Sequence, residues 1–418
     1  MKLTPFQTPV VPIHKEDRIS FLDVMRGIAI LCVFMSNIPY LSGFFDLTEE
    51  ATAKTITLLT DQWVDAILHT LIDGKFYTVF SLLFGIGITL QYENFKARNQ
   101  NFTPFFKRRM AWLLVIGVIH LSLFWIGDIL TLYALLGFGL LFFIDTSNKK
   151  LIRWSAVLLL MPIANTLVIH YFEIDYPRIF LIINAKITSF FHLKSEMYQG
   201  IAMTNFPEMI KNQSVLTFFE INISTIPLRI YYLLMEGRPF KVFGIFLIGI
   251  CFGRQVLHNN LLTNSSLLKK IALYGFLIGI PISITRSFFE FTNDGSLAAD
   301  LSVTISYALG TVPLALGYFA GLALVYQKKT SVLNYFAPVG KMALSNYLLQ
   351  TFISITIFYN VGFGWAGKFG FSIIIAIVII IFSSQILLSK LWLKHFRFGP
   401  IEYIWRLLSY GSKLQLKK

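Results

Sequence analysis

The sequence predicts an all-α polytopic membrane bundle of about ten spans, N-in/C-in, with an amphipathic helix on its outer side. Three observations predict it. Of 418 residues, 55% are apolar and 14% charged, about half the charge of a soluble domain. Ten apolar runs approach the roughly 20 residues that a bilayer crossing needs. Lys and Arg gather on alternate loops, as the positive-inside rule demands.

The same composition excludes a disordered chain, a collagen-like chain and a disulfide scaffold. Cys32 and Cys251 both lie inside apolar runs and read as packing residues, with no metal-ligand spacing. The net charge of +14 would suggest nucleic acid in a soluble protein. Here it is an orientation signal facing anionic lipid, and no nucleic-acid partner is expected.

The first run, 20–41, follows a polar stretch with Pro5, Pro9 and Pro12. It carries Asp23 and Arg26 at its start and ends in Ser36-Asn37-Ile38-Pro39, without a clean cleavage site. It reads as an uncleaved span rather than a signal peptide. In 50–73, Ile56, Leu59, Trp63, Ile67 and Leu71 recur at helical spacing, with Asp61, Asp65 and Asp73 interleaved. That pattern predicts an amphipathic helix on the outer face.

Four further spans follow, at 76–92, 110–126, 128–144 and 154–172, completing an N-terminal half over 20–172. An outer segment, 173–239, leads to the second half, 240–394. Its spans are 242–253 (short as written and expected to extend at both ends), 271–289, 300–326, 342–359 and 371–389. A basic tail, 395–418, closes one integral domain.

The charges test this order. Loops assigned to the inside hold 24 Lys/Arg and 5 acidic residues; those outside hold 9 and 14. Segment 214–235 is apolar enough to tempt an eleventh crossing. Counting it would put Lys269-Lys270, Lys328-Lys329 and the basic tail outside. It also contains Glu220, Pro227 and Arg229. An interfacial or re-entrant helix is the preferred reading, with eleven spans as the alternative.

Ionisable groups inside spans are costly, which makes them functional candidates. Asp23 and Arg26, three apart, share a helix face. They form either an interfacial ion pair with Arg26 snorkelling, or an anion site open to the cytoplasm. Asn37 either caps its span or faces the chemistry. His120 lies eight residues before Asp128, with Gly127 allowing a turn between. Asp128 either orients His120 as a general base or caps the next helix.

Lys75 opens the second span as an interfacial anchor or a site group, and His69 lies just upstream. Gly85 and Gly87 read as packing glycines rather than a phosphate loop. Arg286 sits near the outer end of the seventh span. Asn346 and Gln350, four apart, either bond across the bundle or line a cavity. In this topology Asn37, His69, Lys75, His120 and Asp128 fall in the outer half. Arg26, Lys341 and Lys107-Arg108-Arg109 fall on the inner side. No Walker, dinucleotide or HExxH pattern occurs, and no metal is expected.

Five runs carry a family resemblance. They are Leu22-Asp23-Val-Met-Arg26-Gly27-Ile-Ala29-Ile; Gly74-Lys75-Phe76-Tyr-Thr-Val-Phe80-Ser-Leu-Leu-Phe84-Gly85; Gly117-Val-Ile-His120 through Trp125 to Leu130; Gly340-Lys341-Met-Ala-Leu-Ser-Asn346-Tyr347; and Gly399-Pro400-Ile-Glu402-Tyr-Ile-Trp405-Arg406. Over nearly the whole chain they resemble the YeiB-like bacterial membrane proteins. That family is in turn similar to the transmembrane acyl transferase superfamily, which includes heparan-alpha-glucosaminide N-acetyltransferase. There an Arg-Gly is followed, at the spacing of Arg26 to Asn37, by an Asn near the active site. Its catalytic His follows soon after, in the first outer loop. Here that loop has no His before His69, and Thr48 stands near the expected place. The resemblance leaves the role to His120 or His69.

What these readings imply together is an integral membrane acyltransferase. Acetyl-CoA or another acyl-CoA binds from the cytoplasm, met by Arg26, Lys341 and Asn346. His120, oriented by Asp128, deprotonates the acceptor, and Asn37 or Lys75 stabilises the oxyanion. Lys75, His69, Trp125 and Arg286 surround the acceptor, an envelope glycan or lipid. The alternative is a transporter or exporter with a His120, Asp128 and Arg286 pathway. A non-catalytic scaffold leaves the buried His120 unexplained. The expected location is a bacterial inner membrane, with the lipid bilayer as partner. A homo-oligomer is compatible with the sequence.

Overall fold

The computed structural model describes residues 19–44, 55–193, 214–292, 294–411 and 414–418. Thr48 lies outside these described residues. Among them the architecture is helical throughout, with two isolated β-bridges and no extended strand. Each of the ten apolar runs forms one helix. These are α1 (Ser20–Leu41), α3 (Lys75–Ala97), α4 (Phe102–Leu123), α5 (Leu130–Gly139), α6 (Asn148–Thr166), α10 (Arg238–His258), α11 (Ser265–Phe291), α12 (Leu297–Lys328), α13 (Ala343–Phe358) and α14 (Phe371–His395).

Seven helical stretches are long and apolar enough to cross a bilayer. Leu130–Phe142 and Ala343–Phe358 are apolar but shorter. The 22-residue α4 carries Lys107-Arg108-Arg109 in its first turns. The sixth run extends at both ends, to Arg238 and His258.

Between and after these lie shorter helices. The amphipathic segment forms α2 (Asp61–Leu71), with Trp63 and Ile67 exposed. Its chain then turns into α3 at Gly74, whose φ of +75° lies in the left-handed region that glycine enters without steric cost. A Cβ there would also stand 2.7 Å from the Tyr307 ring. The outer segment contains α7 (Arg178–Phe190), α8 (Val215–Ser224) and α9 (Ile226–Met235). Pro227 explains the break between α8 and α9: it has no N–H to give the Ile223 carbonyl. Each of the two is ten residues long, about 15 Å, half of a hydrocarbon core. The tail forms α15 (Pro400–Tyr410).

Helices in lipid gain little from hydrophobic burial against each other; close packing and hydrogen bonds join them. Glycine supplies the closest approaches. At the crossing of α3 and α10, a Cβ on Gly85 would lie 2.8 Å from the Gly249 Cα. Gly85 is a packing glycine, as its sequence context predicts. The segment 330–341 folds as short turns that lie against α1. There a Cβ on Gly340 would meet the Asp23 carbonyl oxygen at 1.8 Å, and one on Gly27 would meet the Phe336 carbonyl oxygen at 2.2 Å. Two quoted motifs, Arg26-Gly27 and Gly340-Lys341, therefore interlock.

Polar side chains tie other helices together. The Asn346 amide donates to the Ser389 hydroxyl at 3.0 Å, and Gln350 donates to Gln385 at 2.9 Å. Both bonds join α13 to α14. Of the two readings of this pair, bonding across the bundle is the one observed.

Candidate functional site

One cavity of about 1470 Å³ runs through the bundle. Along α1 its wall extends from Ile19 to Tyr40, about 30 Å of helix rise and the depth of a hydrocarbon core. The charge asymmetry assigns the Ile19 end to the cytoplasm.

The inner end is cationic. Arg26, Arg109, Lys341 and Arg406 line it, with Asp23, Glu93 and Glu402 among them. The Arg26 guanidinium donates to the buried Asp23 carboxylate at 2.9 Å, so Arg26 both pairs and faces the cavity. Gly87 lines the cavity beside it, where a Cβ would make only an ordinary 3.6 Å contact with Arg26 Nη2. Gly87 is thus a wall residue, unlike Gly85. Arg109 stacks on the Trp405 ring at 3.7 Å. Lys341 reaches this end because of the Gly340–Asp23 contact.

The middle is apolar and aromatic, lined by Ile30, Val33, Phe80, Leu83, Leu113 and Tyr133. The outer end is polar. Asn37 and Trp125 line it, as do Arg229, Glu236, Arg238 and the cluster around Arg286. Arg286 Nη2 bonds Asp73 Oδ2 and Glu290 Oε2, both at 3.0 Å. His69 Nε2 lies 3.1 Å from the same Glu290 oxygen, and His69 Nδ1 lies 2.8 Å from the Ser287 hydroxyl. Asp73, Arg286 and Glu290 face the cavity; His69 stands behind them.

Lys75 is fully buried and donates to the His69 carbonyl at 2.9 Å. It is neither an exposed anchor nor a wall residue. Lys241, which the sequence reading overlooked, is equally buried. Its Nζ donates to the Tyr307 carbonyl at 3.0 Å and sits 2.9 Å from the Tyr307 ring centroid.

The His120 motif is built as its spacing predicts, but it stands off the cavity. His120 Nδ1 lies 2.9 Å from Asp128 Oδ1, and the other carboxylate oxygen accepts the Thr131 N–H at 2.7 Å. Asp128 thus orients the His and caps α5 at once. The second ring nitrogen, Nε2, bonds the Thr351 hydroxyl at 3.1 Å. Both nitrogens are occupied, His120 is 2% exposed, and neither it nor Asp128 lines the cavity. The structure thus brings the expected pair together and places it behind the cavity wall rather than in it. The ring is a brace behind the wall: Tyr347, which lines the cavity, sits 5.2 Å from it.

Of the remaining expected residues, Asn346 belongs to the α13–α14 junction and lies off the cavity. Arg229 and Tyr347 were missed as site residues. Arg229 stood out only as a charge that argued against an eleventh span. Tyr347 lies inside the Ser345-Asn346-Tyr347 motif, where a tyrosine in an apolar helix carries no signal of its own.

A bundle of apolar helices around a chamber with polar ends defines the class: a polytopic membrane protein. Comparison with known proteins then shows what the chain is similar to. Residues 252–412 match the family model described as "Protein of unknown function (DUF418)". The chain is 29% identical to YxaH of Bacillus subtilis (strain 168), described as uncharacterized, over 96% of each chain. It is 27% identical to the uncharacterized YeiB of Escherichia coli (strain K12), over 93% of this chain and 95% of that one. Over nearly its whole length the chain is thus similar to these YxaH and YeiB proteins. No solved structure matches it.

Proposed function

We propose that the protein is an acyltransferase of the bacterial inner membrane. It moves an acyl group from cytoplasmic acyl-CoA to an envelope glycan or lipid on the outer side. The observation that carries this reading is a continuous cavity, cationic at its inner mouth, apolar at its waist and polar at its outer mouth. The first suits CoA phosphates, which guanidinium forks bind as ion pairs. The waist suits a pantetheine arm and an acyl chain. The last suits a hydroxylated or aminated acceptor.

In this reading Arg26 and Lys341 hold the phosphates and the thioester reaches the outer half. The acceptor O–H or N–H attacks the thioester carbonyl carbon. A C–O or C–N bond forms, the C–S bond breaks, and the thiolate leaves as CoA after taking a proton. Glu290, the cavity-facing partner of His69, takes the proton of the acceptor. Asn37 faces the cavity and offers its amide N–H groups to the oxyanion.

The test is labelled acetyl-CoA added to the inner side of proteoliposomes. Transfer, or slow hydrolysis, is expected from wild type and not from Arg26→Ala/Lys341→Ala. Absence of both CoA binding and turnover sinks the reading. The same chamber reaches both ends of the bundle, which favours a transporter as the second reading. Solute movement without chemistry in those vesicles would select it.

A further inference from the structure

The arginines in the outer half of the cavity are unequally served. Arg286 has two carboxylates, and Arg238 is paired with Glu236. Arg229 has none. Its one hydrogen bond among the described residues runs from Nη2 to the backbone carbonyl of Asp128, at 3.0 Å. Its Nε is buried without a partner among the described residues, as are those of Arg238 and Arg286, so the difference lies in the missing carboxylate. The Asp128 carboxylate is already shared between His120 and Thr131. Glu236, two helical turns along α9 and past its end, is held by Arg238. A half-buried guanidinium that faces the cavity with one neutral acceptor has N–H donors to spare, and an anion there would complete it.

A second donor accompanies it. Tyr347 lines the same cavity, and among the described residues its buried hydroxyl finds no acceptor; the Ile129 N–H beside it can only donate to it and leaves the O–H to spare. Both residues are fixed by one unit: the Tyr347 ring lies against the His120 ring, and Arg229 is bonded to the Asp128 backbone. His120 and Asp128 are fixed in turn by Thr351 and Thr131. The motif that resembles a catalytic dyad thus braces two donors that point to an anionic ligand.

We propose that Arg229 and Tyr347 form an anion site in the cavity wall, braced by His120–Asp128, that takes a phosphate or carboxylate group. The guanidinium supplies the charge and a directed N–H, the phenol a second donor. The proposal rests on the acyl-transfer reading for one point, that the anion belongs to the acceptor. An acceptor so bound is an acidic lipid headgroup or an acidic soluble glycan unit.

The full-length protein, purified in a neutral detergent, is titrated with three probes: a short-chain phosphatidic acid, inorganic phosphate and acetate. Binding is read by thermal shift in wild type, Arg229→Gln, Tyr347→Phe and Lys150→Gln. Wild type is expected to bind at least one probe. Arg229→Gln should weaken it about tenfold or more, the scale of a charge-assisted hydrogen bond. Tyr347→Phe keeps the ring against His120 and should weaken it less. Lys150→Gln, at an exposed position off the cavity, should leave it unchanged. Preference for phosphatidic acid assigns a lipid source, and equal response to the soluble anions assigns a soluble one. No shift with any probe overturns the site, as does a shift that survives Arg229→Gln and Tyr347→Phe or that Lys150→Gln removes. An Arg229-dependent shift in a protein without acyl transfer would keep the site and discard the enzyme reading. Transfer without such a shift would do the reverse.

Discussion

Gly340 lies against the carbonyl oxygen of Asp23 so closely that a single added methyl would stand 1.8 Å from it. The contact seats the 330–341 turns on α1 and brings Lys341 to the end of the cavity that Arg26 occupies. Gly340→Ala must push the two apart. We expect a loss of about 1–3 kcal/mol, the scale of overpacking, seen as a lower melting temperature. Acyl-CoA binding should fall with it, because Lys341 moves. Unchanged stability would contradict the contact.

Arg26→Gln and Lys341→Gln are expected to weaken acyl-CoA binding, the amide of the first keeping a donor for the buried Asp23 carboxylate. Both face the cavity, whose inner mouth is open to solvent and to salt screening. The wild-type affinity should therefore drop as salt rises, and the drop should be shallower in each variant. A titration at several ionic strengths checks this, and a salt-independent affinity would refute it.

His120→Ala is expected to destabilise the bundle by about 2–4 kcal/mol. It removes a packed ring and leaves the Asp128 carboxylate short of a buried partner. Because the ring stands behind the wall, the pH profile of any transfer should keep its shape in the surviving protein. A lost limb of that profile would restore His120 as the base.

Lys241 offers a contrast between shape and charge. The Tyr307 carbonyl that accepts from it also accepts from the Thr311 hydroxyl, at 2.8 Å, and so stays satisfied without the amine. Lys241→Met should change stability by less than about 1.5 kcal/mol, and Lys241→Ala should cost about 2–5 kcal/mol by leaving a void. Thermal melting of the two variants side by side decides it. Equal losses would mean that the charge matters more than the packing.

Glu402 is buried at the junction of α15 and α13, where its carboxylate accepts the Ser345 N–H at 3.0 Å. Burial pushes this carboxyl above its usual range, against the lowering effect of the Ser345 bonds. A raised folded value means that the native state holds the proton more tightly than the unfolded chain. The resulting stability is full below the ordinary carboxylate range and is lost as pH rises through the folded value. Wild type should therefore melt lower as pH rises across that window, and Glu402→Gln should flatten the dependence. A pH series of melting curves checks both.

The spans were legible because length and apolarity suffice to specify a bilayer crossing. Each apolar run became a helix, and even the short sixth run extended as its flanks allowed. The His120–Asp128 bond was legible because eight residues and one glycine define it locally. Its meaning was not. Thr351, which closes the other nitrogen, lies 231 positions further on, and nothing near His120 in sequence announces it. The interlock of Gly27 and Gly340 was hidden in the same way: two motifs were visible, and their contact was not. Arg229 was hidden by its neighbours, since an arginine in an apolar segment reads first as an objection to a span.

Helix α1 has one more consequence. It packs on the 337–341 turn, α13 and α14, all translated some 300 residues after it. The first helix to enter the membrane thus waits for nearly the last to arrive. During synthesis Asp23, Arg26 and Asn37 stand in lipid or in the translocon without the partners that later enclose them. The completed cavity is then a product of the final third of translation, and chains cut short before residue 337 would carry every early motif and no inner mouth.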